Sequence, residues 1–190
     1  MRNFSKIESI SVFDLDGTLI SGDISRFLFE KSTLILKIKF LLIRMISGKD
    51  SLRRALVGYS CELDMKVMRP ELLDYLQQNT DIRIRDIVEE LRENHILILS
   101  SASPRILVEV AAQHFGFDLA FGSTNETLNL GPTKYLSITT SEAIKNKIFC
   151  FAISDNSEDQ SWLVSFNKYI FYQEGLMSLG DLACACKNVV

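Results

Sequence analysis

The feature that most constrains this chain is a set of three apolar runs, each stopping at a cluster of small polar and acidic residues. Residues 8–14, Glu-Ser-Ile-Ser-Val-Phe-Asp, read as a short buried strand ending in an acid. Ile96-Leu97-Ile98-Leu99 and Ile148-Phe149-Cys150-Phe151-Ala152-Ile153 are continuous apolar stretches, the pattern of parallel strands covered on both faces. Tyr169-Ile170-Phe171-Tyr172 reads as a last short strand. Between the strands the period changes. Ile84, Ile87, Val88 and Leu91 form the i, i+3, i+4, i+7 stripe of a helix packed on a sheet. Pro104 sits at a helix start that Ile106–His114 continue. Strands that alternate with helices need crossover connections, so the expected class is α/β with a mainly parallel sheet. The expected architecture is a three-layer, Rossmann-like core. From about 20 to 90 the pattern is helical (Ile24–Lys31, 33–46, Ser51–Leu56, Pro70–Gln78) with no strand of its own. That stretch is expected to be an insertion forming a helical cap at 21–80, with the core at 1–20 and 81–190.

The balance of residues narrows the function classes. In 190 residues there are 21 basic and 24 acidic side chains, a net charge of −3, and 47% apolar residues. Such a chain is neither disordered nor a strongly basic nucleic-acid binder, so no nucleic-acid partner is expected. Cys61, Cys150, Cys184 and Cys186 make no Cys-x-x-Cys pair, and the Cys184-Ala185-Cys186 cluster reads as two reduced thiols. Met1–Lys6 lead straight into the first strand without an apolar signal region, so a cytoplasmic location is expected.

Residues 33–46, Thr-Leu-Ile-Leu-Lys-Ile-Lys-Phe-Leu-Leu-Ile-Arg-Met-Ile, complicate that expectation. The run is shorter than the ~20 residues of a membrane span, and Lys37, Lys39 and Arg44 interrupt it. One reading is a helix packed inside the cap with its lysines snorkelling outward. The other is a cationic, apolar helix lying on a membrane surface, making the protein peripheral to the inner face of a membrane.

Ligands of open parallel sheets bind beyond the carboxyl ends of the strands, and three strand ends here deliver a coherent set. The first is Asp14-Leu15-Asp16-Gly17-Thr18, two carboxylates at a turn that Gly17 permits and whose N–H groups can form an anion nest. The second is Ser100-Ser101-Ala102-Ser103, hydroxyls and amides ahead of a helix N-terminus. The third is Ser154-Asp155-Asn156-Ser157-Glu158-Asp159, an acidic cluster suited to a hard divalent cation. Lys134, after Gly131-Pro132-Thr133, adds a cation. A carboxylate nucleophile, a divalent metal, an anion-binding hydroxyl and a lysine together make a phosphoryl-transfer set.

On those motifs the chain resembles the haloacid dehalogenase (HAD) superfamily, in the branch like phosphoserine phosphatase, with a helical cap after the first motif. Asp14-Leu15-Asp16-Gly17-Thr18-Leu19 matches the first motif in full, and the resemblance covers about 8–20 and 84–172. It implies a Mg²⁺-dependent phosphatase acting on a phosphorylated small molecule through an aspartyl-phosphate. It implies Asp14 as nucleophile and Asp16 as general acid and base. The phosphate-binding group would be Ser101 with Ala102, Gly17 and Thr18, Ser100 being the alternative by a one-residue shift. Lys134 would be the third-motif cation, with Lys145 and Lys147 as competitors. Asp14, the Asp16 carbonyl and Asp155 would bind the metal, and Asp159 would ligate or support it. The fourth motif departs from the common Gly-Asp-Ser-x-x-Asp in having Ser154 for Gly and Asn156 for Ser, while both acids keep their spacing.

Asn129–Lys134 and Ser154–Trp162 also resemble the HAD domain found fused to or beside UbiA-type prenyltransferases. That likeness implies polyprenyl- or phosphoribosyl-type phosphates as substrates, or a non-catalytic module beside a membrane synthase. Transfer of the phosphoryl group to an acceptor other than water is a further enzymatic alternative. His95 and His114 read as structural and Trp162 as helix packing, while Arg26 either reads a substrate anion or is solvated.

Overall fold

A computed structural model describes residues 6–171. Tyr172 and the Cys184-Ala185-Cys186 cluster lie outside the described residues, as do Met1–Ser5. The elements in chain order are β1 (Ser9–Phe13), α1 (Ile24–Lys31), α2 (Leu34–Cys61), α3 (Met65–Asn79), α4 (Ile82–Leu91), β2 (His95–Pro104), α5 (Arg105–Phe115), β3 (Leu119–Ser123), α6 (Pro132–Thr139), β4 (Ile148–Ser154), α7 (Gln160–Leu163) and β5 (Lys168–Phe171). The five strands form one parallel sheet in the order β3-β2-β1-β4-β5. This is the expected three-layer α/β class.

Two-sided burial explains the continuous apolar runs. Phe13, Leu97, Leu99, Phe151 and Ile153 face one apolar cluster, shared with helices α1 to α5. Their alternates Ile10, Val12, Ile96, Ile98 and Ala152 face a second cluster with Ile138, Trp162 and Leu163 from α6 and α7. Successive strand side chains point to opposite faces, so a strand covered on both sides favours apolar residues at every position, Ser11 in β1 being buried with its Oγ 2.7 Å from His95 Nδ1. The chain runs outward from β1 through β2 to β3 and then returns to β4 on the other side. The ends of β1 and β4 therefore flank a topological switch point, where such sheets bind ligands.

The inserted helices differ in detail from the sequence pattern. The second and third helical pieces are one element, α2, bent at Gly48, whose φ of +85° is not helical. The next helix begins at Met65, capped by the Asp64 carboxylate, and takes in Pro70 rather than starting there. β3 has no counterpart in the sequence reading. It is an edge strand of Leu-Ala-Phe-Gly-Ser, only half-buried, so it carries no continuous apolar run. Phe27, Leu28, Phe40, Leu56, Leu72 and Leu76 from α1 to α3 share their cluster with the sheet residues, which fixes the inserted helices against the core. Among the described residues no helix is long and apolar enough to cross a membrane.

Candidate active site

β1 ends where the first motif begins, and the turn after it depends on Gly17. Its φ is +76°, and a Cβ there would fall 2.1 Å from Asp155 Oδ2. The glycine thus serves two ends, a left-handed turn and the close approach of the β4 loop to the β1 loop. Thr18 completes that junction. Its hydroxyl accepts from the Asp155 N–H at 3.0 Å and donates to Asp155 Oδ1 at 3.3 Å.

Asp14 sits on the floor of a cavity of about 670 Å³. Lys134 Nζ donates to Asp14 Oδ1 at 3.0 Å and to Asp159 Oδ2 at 2.6 Å. Ser154 Oγ donates towards Asp14 Oδ2 at 3.1 Å and Asp159 Oδ2 at 2.8 Å. Trp162 Nε1 donates to Asp159 Oδ1 at 3.2 Å. Asp159 therefore has partners on both oxygens and does not line the cavity, whereas Asp14, Lys134 and Asp155 do. Burial pushes the Asp14 carboxyl up, against the pull of Lys134. Burial would depress the Lys134 ammonium, but Asp14 and Asp159 override it and hold the group above its ordinary value.

The Asp16 carboxylate points another way. Oδ1 accepts from the Ile24 N–H at 2.7 Å, at the start of α1, and Oδ2 accepts from Ser101 Oγ and Ser103 Oγ, both at 2.7 Å. Burial first, and the charge of Asp23 second, push its carboxyl up to about 7. That value suits proton transfer near neutral pH. Asp155 is pushed up to about 6, by burial and then by the charge of Asp14.

The structure brings most of the sequence-derived set together. Asp14, Asp16, Ser101, Ala102, Lys134 and Asp155 all line the cavity. Gly17 and Thr18 act on the Asp155 loop, with Gly17 lining a smaller adjoining cavity. Of the two candidate hydroxyls, Ser101 faces the cavity, while Ser100 accepts from Asn129 Nδ2 at 3.1 Å in the interior. Lys145 is exposed beside Glu142, and Lys147 donates to the Ile7 carbonyl, so neither reaches Asp14. His95 is buried with Nδ1 2.7 Å from Ser11 Oγ in the sheet, a structural place.

Four residues named in the sequence reading make contacts that it did not assign. Ser103 shares Asp16 with Ser101, Ser154 bridges Asp14 and Asp159, and Trp162 holds Asp159 besides packing. The fourth is Asn129, whose Nδ2 also reaches the carbonyls of Ser101 and Phe121. The opposite wall comes from the inserted helices. Phe29, Phe40, Leu41 and Leu52 make it apolar, and Arg26, Arg44, Lys49 and Arg53 make it cationic. Arg26 pairs with Glu30 and is mostly exposed.

A family described as haloacid dehalogenase-like hydrolase matches residues 11–163. No curated protein matches the sequence. Among solved structures, a protein of unknown function from Bordetella pertussis Tohama I superposes with a TM-score of 0.73 at 15% identity, covering 95% of this chain and 96% of that one. A phosphoserine phosphatase solved as a phospho-aspartyl intermediate analogue gives 0.53 at 16% identity, over 86% of each chain. A phosphoserine phosphohydrolase-like protein from Francisella tularensis subsp. tularensis SCHU S4 gives 0.53 at 17%, over 87% of this chain and 88% of that one. These likenesses establish a shared fold.

Proposed function

Since the chain belongs to the haloacid dehalogenase-like hydrolases, we propose that it is a Mg²⁺-dependent phosphomonoesterase that works through a phosphorylated Asp14. The observation that carries this reading is the placing of two carboxylates with different partners at one cavity. Asp14 lies between Lys134 and Ser154, and Asp16 is held ready to carry a proton.

The residues fit a magnesium ion. Among the described residues no three acid, histidine or cysteine side chains form a ready-made cluster. Asp14 and Asp155 instead offer two carboxylates at the cavity, each raised above its ordinary range. Two carboxylates with a main-chain carbonyl, here that of Asp16, suit a cation that keeps several of its waters. Bound there, it would neutralise phosphate charge so that an anionic nucleophile can approach.

In the first step an Asp14 carboxylate oxygen attacks phosphorus. The bond to the substrate oxygen breaks, and Asp16 gives that oxygen its proton. Lys134 favours the carboxylate form of Asp14 against the effect of its burial and would balance the charge of the transferring group. In the second step Asp16 takes a proton from water, water oxygen bonds to phosphorus, and the Asp14–phosphorus bond breaks. The products are an alcohol and inorganic phosphate. Ser101 and the N–H groups around Ala102 would bind phosphate oxygens, and Asp159 would act by holding Lys134. Residues 21–80 would serve as the cap over a core of 1–20 and 81–190, excluding water while Asp14 attacks.

The test is hydrolysis of p-nitrophenyl phosphate with and without Mg²⁺, in wild type and Asp14→Asn. Metal-dependent turnover lost in the variant is expected, together with acid-stable trapping of phosphate on wild type only. A folded wild type that hydrolyses neither this substrate nor any of a panel of phosphomonoesters, in the presence of Mg²⁺, would refute the reading.

A further inference from the structure

The first half of α2 carries a feature that the catalytic chemistry does not use. Ile35, Met45 and Ile46 are 80–82% exposed, and Ile38, Leu41 and Leu42 about half exposed. At 100° per residue these positions fall on one side of the helix. Phe40, on the opposite side, is buried in the core. The outward side is therefore as apolar as a core face. Single exposed apolar residues are ordinary, but a contiguous stripe marks a surface that meets something.

Charge identifies the occupant. The segment 34–49 holds Lys37, Lys39, Arg44 and Lys49 and no acid, in a chain whose net charge is −3. Lys37 and Arg44 border the stripe on one margin and Lys39 on the other. Long cationic side chains on both borders of an apolar helical stripe match a bilayer surface. The apolar side chains enter the acyl boundary, and the ammonium groups stay at the level of anionic headgroups. The stripe is also continuous with the cavity, because Leu41 and Arg44 belong to the wall above Asp14.

We propose that residues 34–47 dock this protein on an anionic lipid bilayer, with the mouth of the Asp14 cavity turned towards the headgroups. The docking stands on the stripe and its charges alone. The substrate class it implies, an amphiphilic phosphomonoester drawn from that surface, rests on the proposed function.

The experiment is vesicle flotation of the full chain with phosphatidylcholine vesicles and with vesicles enriched in phosphatidylglycerol. The variants are Ile35→Glu/Met45→Glu and Lys37→Gln/Lys39→Gln, none of which lines the cavity. Wild type should float with the anionic vesicles, less with neutral ones and less at high salt. The glutamate pair should abolish flotation, and the glutamine pair should weaken it about tenfold or more. Both variants should keep the thermal midpoint of wild type and its turnover of p-nitrophenyl phosphate. Failure of wild type to float, or flotation unchanged by the glutamate pair, overturns the proposal. Concentration-dependent self-association that the glutamate pair removes also overturns it, by assigning the face to a second copy. Flotation by a protein without phosphatase turnover supports the docking and counts against the proposed function, so the two failures are distinguishable.

Discussion

Lys134 Nζ lies 2.6 Å from Asp159 Oδ2 while also holding Asp14 at 3.0 Å, and all three side chains are almost wholly buried. A single cation thus compensates two interior carboxylates. Removing one partner of a buried ionic group leaves uncompensated charge and typically costs about 3–5 kcal/mol. Lys134→Met should lower unfolding free energy by about that amount in urea melts and abolish turnover. Asp159→Asn keeps one carboxylate for the lysine, so it should destabilise less while still lowering kcat, since Lys134 loses its second anchor.

Gly17 answers to geometry on two counts, its positive φ and the 2.1 Å separation between a Cβ there and Asp155 Oδ2. Gly17→Ala must displace the Asp155 loop and strain the turn, at about 1–2 kcal/mol for the backbone alone. The expected signature is a raised Mg²⁺ concentration for half-maximal activity, by tenfold or more, with the far-ultraviolet circular dichroism of wild type. An unchanged metal dependence would separate Asp155 from the metal.

The partly buried Asp16 and Asp155 should make stability fall as pH rises in the metal-free protein. The folded-state value for Asp16 is about 7, and for Asp155 about 6, both above the 3.8 of an unfolded aspartate. Between those limits the folded chain holds protons that the unfolded chain has released, so unfolding free energy decreases with pH. For Asp16 the loss develops from about pH 4 and is complete above about pH 7, with a ceiling of about 4 kcal/mol. Urea melts in chelator should show lower midpoints at pH 8 than at pH 5. Asp16→Asn should flatten much of that slope.

Sequence reading reached what local pattern encodes. The Ile96–Leu99 and Ile148–Ile153 runs are strands because two-sided burial favours apolar residues at successive positions, while β1 also carries Ser11, buried with its Oγ 2.7 Å from His95 Nδ1. The acids and serines after them are gathered because parallel strands end on the same edge. What stayed illegible depends on distant partners. Ser154 bonds to Asp14 across 140 positions and Ser103 to Asp16 across 87, and no local periodicity marks a serine for either role. Trp162 reads as packing because its apolar body does pack, and its N–H bond to Asp159, only three positions back, shows only when the ring orientation is known. The edge strand β3 is half-solvated and so lacks the run that identified its neighbours. For the lysines, the spacing to Asp155 favoured Lys134 over its competitors Lys145 and Lys147, and the fold adds that Lys134 is buried against Asp14 while the other two lie elsewhere.

Arg53 links the inserted helices to the loop that bears Asp155. Its side chain is 14% exposed, with the guanidinium 3.0 Å from Asp50 and 4.0 Å from Glu158, and it lines the cavity. Pairs of this kind contribute about 0–1 kcal/mol to stability, so Arg53→Ala should leave the urea midpoint nearly unchanged. Its position gives it a different importance. Under the proposed function, a cation that lines the same cavity as Asp14 and Lys134 from α2 would meet an anionic substrate there. Arg53→Ala should therefore raise KM for a phosphomonoester by about tenfold with a smaller fall in kcat, the split expected when binding is lost and the reacting groups stay in place. Arg53→Lys, which keeps the charge but not the planar fork, should recover only part of the affinity. Equal losses in kcat and kcat/KM for the alanine variant would instead put Arg53 among the groups that stabilise the transition state.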